Sequence, residues 1–457
     1  MDFLTDFIYQ FFKPRNKRID RYTMEAGDIQ EQQLRRLLEQ AKNTSWGKKY
    51  DYKHVAGYDD YKNRFPVQCY DQLKGDIQRM LSGEPNVLWP GMVHWFAKSS
   101  GTTSDKSKFL PVTPEILKQC HYQGGFDTVC LYLRNNPSSH FFRRKGLILG
   151  GSHSPSPINA QIHCGDLSAV LLQNLNPLVN LVRVPRKEII LMDEWESKIK
   201  AIVESTWRED VNSLSGVPSW MLVLIKAILK KSGKTYLTEV WPNLEVFFHG
   251  GISFTPYREA YKSLIPSDKM HYMETYNASE GFFGIQDDPS DPSLLLMLDY
   301  GIFYEFIPMS ELDSENPSVV PLTGVEVGKN YAMVISTAGG LWRYLIGDTI
   351  RFTSVSPYKF VISGRTKHFI NAFGEELMVN NADRALHEAC VATGARIKEY
   401  TAAPLFLLDR AKGRHQWLIE FAQMPDSPEN SRIRIIKKKR AGSSRVPLKK
   451  DGKDCEV

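Results

Sequence analysis

The chain has 457 residues, 42% hydrophobic and 24% charged, which fits a soluble globular protein of two or more domains and excludes a disordered one. Its formal net charge is +6, yet residues 432–453 hold ten Lys/Arg against one acidic residue, leaving 48 basic and 51 acidic side chains elsewhere. The body is therefore near neutral, and no nucleic-acid partner follows from the overall charge. The six cysteines (Cys69, Cys120, Cys130, Cys164, Cys390, Cys455) are irregularly spaced with no C-x-x-C pair. That argues against a zinc ribbon or disulfide framework and for a reducing, cytoplasmic setting. No apolar run reaches membrane-span length, and the N-terminus, with Asp2 and Asp6, does not read as a secretory signal.

In chain order, Phe3, Leu4, Phe7, Ile8, Phe11 and Phe12 follow helical spacing and predict an amphipathic helix docked on the body, with a membrane-surface role the alternative that a not strongly basic opposite face disfavours. Residues 28–45 and 59–82 are helical in period, with Asp71 expected to cap a helix beginning near Gln72. Thr113 and Pro114 read as a cap and first turn. Gly146–Gly151 reads as a short buried strand ending in glycines, and Leu181–Val184 and Ile189–Leu191 as strand-like. Residues 193–207 predict a helix capped by Asp193, and Val217–Lys231 another. Leu244–Phe248 is a strand running into His249-Gly250-Gly251. Further strands are expected at Leu294–Leu298, Phe303–Ile307, Tyr331–Ser336, Thr349–Thr353 and Tyr358–Ser363. The alternation predicts an α/β fold with mixed sheets and flanking helices.

After Ser363-Gly364-Arg365 the pattern changes. Asn380–Thr393 predicts a helix, and Glu399–Leu408 and Gln416–Ala422 predict strands, together a small α+β domain. The expected division is a large domain over 1–365, a small one over 366–424 with a hinge near 365–368, and a basic tail over 425–457 that is poorly ordered or altered.

Five segments carry chemistry. Ser99, Ser100, Thr102, Thr103 and Ser104 surround Gly101, with Lys98, Lys106 and Lys108 on either side. Backbone N–H groups, hydroxyls and positive charge in one turn are what a triphosphate requires. A solvated Ser/Thr turn has the same composition, so this loop alone leaves both readings open. The second is His249-Gly250-Gly251, whose glycines permit close approach to the backbone. The third is Tyr276-Asn277-Ala278-Ser279-Glu280-Gly281, read as a turn in which a carboxylate beside a hydroxyl can hold Mg²⁺ and an aromatic ring can cover a nucleobase. The fourth is Arg343-Tyr344-Leu345-Ile346-Gly347-Asp348, whose aspartate can accept from both hydroxyls of a ribose. The fifth, Gly364-Arg365-Thr366-Lys367, lies where the pattern changes. Each has an ordinary turn as its alternative.

Taken in order, these motifs resemble the adenylate-forming superfamily, and within it the Gretchen Hagen (auxin-responsive) family of acyl acid amido synthetases, over residues 1 to about 424. The resemblance implies that Ser99, Ser100, Gly101, Thr102 and Thr103 hold the ATP phosphates with Lys108 nearby. It implies that Gly250 and Gly251 border adenine and the acyl pocket, that Tyr276 stacks on adenine, that Ser279 belongs to the ATP-binding residues, and that Glu280 binds Mg²⁺. Asp348 is expected on the ribose hydroxyls, Arg365 on ribose or phosphate, and Lys367 at the hinge. The implied reaction is adenylation of a carboxylic acid by ATP with Mg²⁺, followed by transfer of the acyl group to an amino acid amine. An acyl-CoA ligase using coenzyme A, or a non-catalytic nucleotide- or acyl-binding protein, are the alternatives. In the family the small domain continues as folded structure, so the basic tail is a departure and leaves the second half-reaction open.

Overall fold

The structure, a computed structural model, describes residues 1–99, 108–151, 153–155, 161–175, 179, 182–366, 379–405, 414–425, 447–450 and 453–456. It parts into two compact units, Met1–Ile346 with Ile350–Val361, and Gly347–Thr349 with Ile362–Val457.

The first unit opens with helices α1 (Phe3–Asp20) and α2 (Tyr22–Ala41). Asp2 caps α1 by accepting from the N–H groups of Leu4 and Thr5 at 3.1 and 3.2 Å. The expected helix forms, but its aromatic face points away from the body. Phe3, Leu4, Phe7 and Phe11 are 89%, 45%, 54% and 67% exposed, while Thr5, Phe12, Asn16 and Ile19 are buried. The reason is electrostatic. Arg15 donates to Asp127 Oδ2 from Nε at 2.8 Å and to Asp299 Oδ2 from Nη1 at 2.6 Å, and Tyr300 donates to Asp127 at 2.6 Å. A cation with two buried carboxylates fixes which face turns inward.

Three further expectations are corrected. The helix Tyr70–Leu81 starts earlier than Gln72; the Cys69 N–H donates to Gln72 Oε1 at 2.5 Å, and Asp71 sits in the first turn, where a negative charge faces the helix N-terminus. Residues Lys187–Ile190 form a short helix in place of a strand. The helix Trp195–Thr206 is capped by Glu194, which accepts from the N–H groups of Glu196 and Ser197 at 2.9 and 2.6 Å, and not by Asp193.

The strands are β1 (Trp95–Ser99), β2 (Lys108–Val112), β3 (Lys145–Ile148), β4 (His153–Pro155), β5 (His163–Gly165), β6 (Arg183–Val184), β7 (Val211–Gly216), β8 (Val246–His249), β9 (His271–Ala278), β10 (Gly281–Ile285), β11 (Leu294–Leu296), β12 (Ile302–Pro308), β13 (Val320–Pro321), β14 (Asn330–Thr337), β15 (Tyr344–Val355) and β16 (Tyr358–Arg365). Among the described residues one sheet has four strands, β2-β1-β5-β4, and another has twelve, β13-β12-β14-β15-β16-β11-β10-β9-β8-β7-β3-β6. Along the second sheet β6, β3, β7, β8 and β9 run parallel, and β9, β10, β11 and β16 antiparallel. Among the parallel strands β8 is buried along its length, as cover on both faces demands: Val246, Phe247, Phe248 and His249 are all buried. The helix Pro218–Ser232 buries Met221, Leu224, Ile225 and Ile228 in the same core as Leu214 and Phe247.

Arg343 joins the helical layer to the sheet. Its guanidinium grips Glu305 of β12 with Nε and Nη2 at 2.9 and 2.8 Å, and both side chains are almost fully buried. It also donates to the carbonyls of Lys62 and Phe65, and its own carbonyl accepts from the Gln68 N–H at 2.8 Å. Its φ of 41° lies in the left-handed region, a conformation that these contacts hold in place.

In the second unit the helix Val379–Thr393 packs Ala382 and Leu386 on Trp417. The strands β17 (Arg396–Leu405) and β18 (Arg414–Gln423) pair antiparallel, and Tyr400 donates to Asp383 at 2.7 Å. Within the basic tail, β19 (Pro447–Lys450) and β20 (Lys453–Glu456) also pair antiparallel.

Replacing Arg343 by alanine strands the Glu305 carboxylate in the core. Loss of one partner from a buried pair costs about 3–5 kcal/mol, so urea denaturation of Arg343→Ala should show a midpoint far below that of the parent, and Arg343→Lys should recover only part of it.

Candidate active site

The parallel strands end together. Ile148 lies opposite Ser215, Gly216 opposite His249, and His249 opposite Glu274. Each strand then runs into small residues: Gly150-Gly151 after β3, Gly216 closing β7, and Gly250-Gly251 after β8. Ligands of open α/β sheets bind at this carboxyl edge, where side chains are replaced by accessible backbone.

Gly250 cannot be substituted without a shift, since a Cβ there would stand 2.3 Å from the Thr275 carbonyl oxygen. Gly251 has a φ of 84°, which L side chains rarely adopt. Thr275 fastens this corner by donating from its hydroxyl to the His249 carbonyl at 3.2 Å.

The third motif is a tight hairpin rather than one long turn. Tyr276 and Asn277 belong to β9, Ala278 pairs with Gly281, and Ser279-Glu280 make the two-residue connection to β10. Glu280 therefore sits at a fixed tip, partly exposed. Tyr276 is buried, its ring 4.9 Å from that of Phe283 and 6.1 Å from that of Phe360. Beneath it Asn277 Oδ1 meets His121 Nδ1 at 3.0 Å, and the Phe282 N–H lies 3.0 Å from Cys120 Sγ.

Ser99 ends β1 and pairs with Lys108, the first residue of β2, so the hydroxyl-rich segment joins two antiparallel strands. Ser100, Gly101, Thr102 and Thr103 lie outside the described residues. The Lys108 ammonium sits over the Tyr70 ring at 5.6 Å, and the Tyr70 hydroxyl accepts from the Phe109 N–H at 2.9 Å.

In the second unit Asp348 and Arg365 are brought together, with Arg365 Nε 3.1 Å from Asp348 Oδ1. Asp348 is largely buried and Arg365 half exposed, so the pair presents both an acceptor and a cation. The Thr366 N–H donates to the Gly347 carbonyl at 2.8 Å and ties the two segments. Lys367 lies outside the described residues.

Among the described residues no three His, Cys, Asp or Glu side chains cluster as a metal cage. Glu280 thus offers a single carboxylate. Such a donor set fits Mg²⁺, which is commonly held by one or two carboxylates together with water and substrate phosphates.

Three titratable groups escape sequence reasoning. Burial, aided by the nearby Arg258 charge, lowers His249 to about 3, and its Nδ1 has no hydrogen-bond partner. Burial lowers His121 to about 4 against the pull of Asn277. Burial raises the Glu274 carboxyl from 4.5 to about 7 despite Arg258. The signal for Glu274 was a carboxylate inside an otherwise uncharged strand stretch, two residues before Tyr276 and so on the same face.

The layers and the order of the strands define an α/β fold of large mixed sheets with flanking helices. The same architecture is seen in the GH3.15 acyl acid amido synthetase, with a TM-score of 0.73 at 17% identity over 94% of this chain and 87% of that one. Residues 15–270 match the GH3 family N-terminal domain and residues 295–365 the GH3 family central domain, and the chain belongs to the GH3 family. An indole-3-acetic acid-amido synthetase of Arabidopsis thaliana is 25% identical over 468 aligned residues, covering 84% of this chain and 83% of the relative. A jasmonoyl–L-amino acid synthetase of Nicotiana attenuata is 25% identical over 394, covering 72% and 67%.

The raised Glu274 sets a pH signature. A carboxyl that keeps its proton to about 7 when folded and to 4.5 in the ordinary state favours the fold most below 4.5, and that contribution is lost as pH rises to 7. The melting temperature of the parent should therefore fall over this window relative to that of Glu274→Gln, whose profile should be flatter; parallel profiles would contradict it.

Proposed function

We propose that this protein is an ATP-dependent acid–amino acid ligase. The observation that carries the reading is the carboxyl edge of the parallel strands, with Gly250-Gly251 opening one strand end and the rigid Ser279-Glu280 tip ending the next. Its GH3-family relatives are amido synthetases, which supports the same reading.

In the first half-reaction a carboxylate oxygen attacks the α-phosphorus of ATP. The bond to the bridging oxygen breaks, and pyrophosphate leaves with the electron pair. In the second, the amine of an amino acid attacks the acyl carbonyl, AMP departs, and the nitrogen loses a proton to leave a neutral amide. Ser99 begins the hydroxyl-rich loop that would take the phosphates, and Ser100, Gly101, Thr102 and Thr103 continue it. Lys108 would supply positive charge to the departing pyrophosphate. Gly250 and Gly251 would let adenine and the acyl group approach backbone, with Tyr276 beneath the base. Glu280 would hold Mg²⁺, which supplies charge neutralisation at the phosphates. Asp348 would accept from the ribose hydroxyls, with Arg365 turning from its carboxylate towards ribose or phosphate, and Lys367 would stand at the hinge.

A carboxylic acid screen for ATP–pyrophosphate exchange tests this reading. Glu280→Ala and Asp348→Asn should each lower acid-dependent exchange by about 10²–10³-fold, and chelation of Mg²⁺ should abolish it. Mass spectrometry of the product should find an acyl amino acid. An acyl thioester of coenzyme A would move the protein to the ligase class that uses that acceptor, and unaltered exchange in both variants would remove these side chains from the site.

A further inference from the structure

The aromatic stripe on the outward face of α1 has no role in the proposed reaction, and it lies before residue 15, where the match to the family's N-terminal domain begins. Phe3, Phe7 and Phe11 stand one turn apart and touch along the surface, with ring centroids 6.5 and 5.3 Å apart, and Leu4 lies beside them. Ordinary soluble surfaces scatter such residues singly; here four form one stripe, while Thr5, Phe12, Asn16 and Ile19 already anchor the opposite side of the helix.

The same line of the helix changes character further along. At the three- and four-residue spacing of 3, 7, 11, 14, 18 and 21 come Phe, Phe, Phe, Pro, Arg and Arg, and Lys13 and Lys17 flank it, both exposed. Arg18 is 59% exposed although it reaches Asp299, and Arg21 is 63% exposed beside Glu25. Of the nearby acids, Asp2 is engaged in capping and with His140, and Asp6 accepts from Gln10 at 3.3 Å. The face is thus apolar at one end and cationic at the other.

We propose that this face docks the protein on an anionic lipid surface, with the rings of Phe3, Phe7 and Phe11 and the Leu4 side chain in the acyl boundary and Lys13, Lys17, Arg18 and Arg21 at the headgroups. An in-plane helix of this composition buries its apolar side a few ångströms deep while long cationic stems reach the phosphates. Area separates this occupant from a second copy of the chain. The four side chains expose on the order of 500 Å², below the roughly 800 Å² per partner of a stable protein interface. Among the described residues no helix is long and apolar enough to cross a membrane, so the contact is a surface one.

The test is co-sedimentation of the full chain with vesicles of phosphatidylcholine alone and of phosphatidylcholine with phosphatidylglycerol. The parent should partition to the anionic vesicles and release at high salt. The triple variant F3S/F7S/F11S should lose about tenfold or more of that partition while its thermal unfolding stays that of the parent. K13E/K17E should weaken binding to anionic vesicles only. Absence of parent binding, equal binding by the triple variant, or no preference for anionic lipid would overturn the proposal. So would a parent dimer, seen by analytical ultracentrifugation, that the triple variant abolishes.

Discussion

The fold turns on one buried guanidinium. Arg343 meets Glu305 through two hydrogen bonds and donates from Nη1 to the carbonyls of Lys62 and Phe65, so a single side chain satisfies several buried polar groups. Around it Tyr61 bonds Ser336 at 2.6 Å, Tyr58 donates to Glu305 at 3.1 Å, and the Ser336 hydroxyl accepts from the Arg343 N–H at 2.9 Å. A charge in an apolar core is tolerated only when partnered this fully. The helical layer and the strands β12 and β14 are held to one relative placement by this network, and hydrophobic packing, which lacks direction, would not impose that placement alone. Burial holds the Glu305 carboxyl above its ordinary value against the opposing pull of the guanidinium, as expected where desolvation outweighs attraction.

The Arg15 cluster performs the same task at the other end of the helical layer. Asp299 is held below the ordinary carboxylate range because Arg15 and Tyr22 outweigh its burial, and the Asp127 carboxylate is shared between Arg15 and the hydroxyl of Tyr300. The two clusters have a common form: an arginine, a buried carboxylate that it grips, and a tyrosine hydroxyl completing the shell. Directional bonds of this kind choose among packings that burial alone would leave nearly equal.

What the sequence made legible, and what it did not, follows from that distinction. The glycine-terminated strands near Gly150 and Gly250 could be read because a strand between turn residues has few other solutions, and β8 stands where expected, whereas its neighbours β7 and β9, which carry polar residues along their length, were not foreseen. Helical period likewise announced α1, but period says which residues share a face and not which face the body covers. That choice was made by Arg15, whose partners lie 112 and 284 residues away. Asp193 and Glu194 are adjacent acids, and composition does not say which carboxylate reaches the first free N–H groups. Ile189–Leu191 has strand-like composition, yet so short an apolar run is ambiguous, and here the buried contact of Ile190 is met by a turn of helix. In the third motif the residue order was readable, while the hairpin emerged only through the pairing of Ala278 with Gly281.

That hairpin gives the candidate site its electrostatic character. Near the ends of β8 and β9, His249 and His121 are neutral because their burial disfavours the imidazolium, and Glu274 keeps its proton to about 7 for the same reason. The ends of these strands therefore offer shape, backbone and neutral polar groups, whereas Glu280 at the tip is the carboxylate left partly in solvent. A carboxylic acid substrate entering such a corner meets little fixed negative charge to repel it, and a cation at the tip would be the local centre of attraction. The separation costs the protein two buried imidazoles, each with an unmade hydrogen bond, at Nδ1 of His249 and at Nε2 of His121. Packing alone does not require that expense, since an apolar side chain would fill the volume between Phe247 and Phe254. His249 thus places a neutral imidazole at the last position of β8, immediately before Gly250, packed between the buried rings of Phe247 and Phe254.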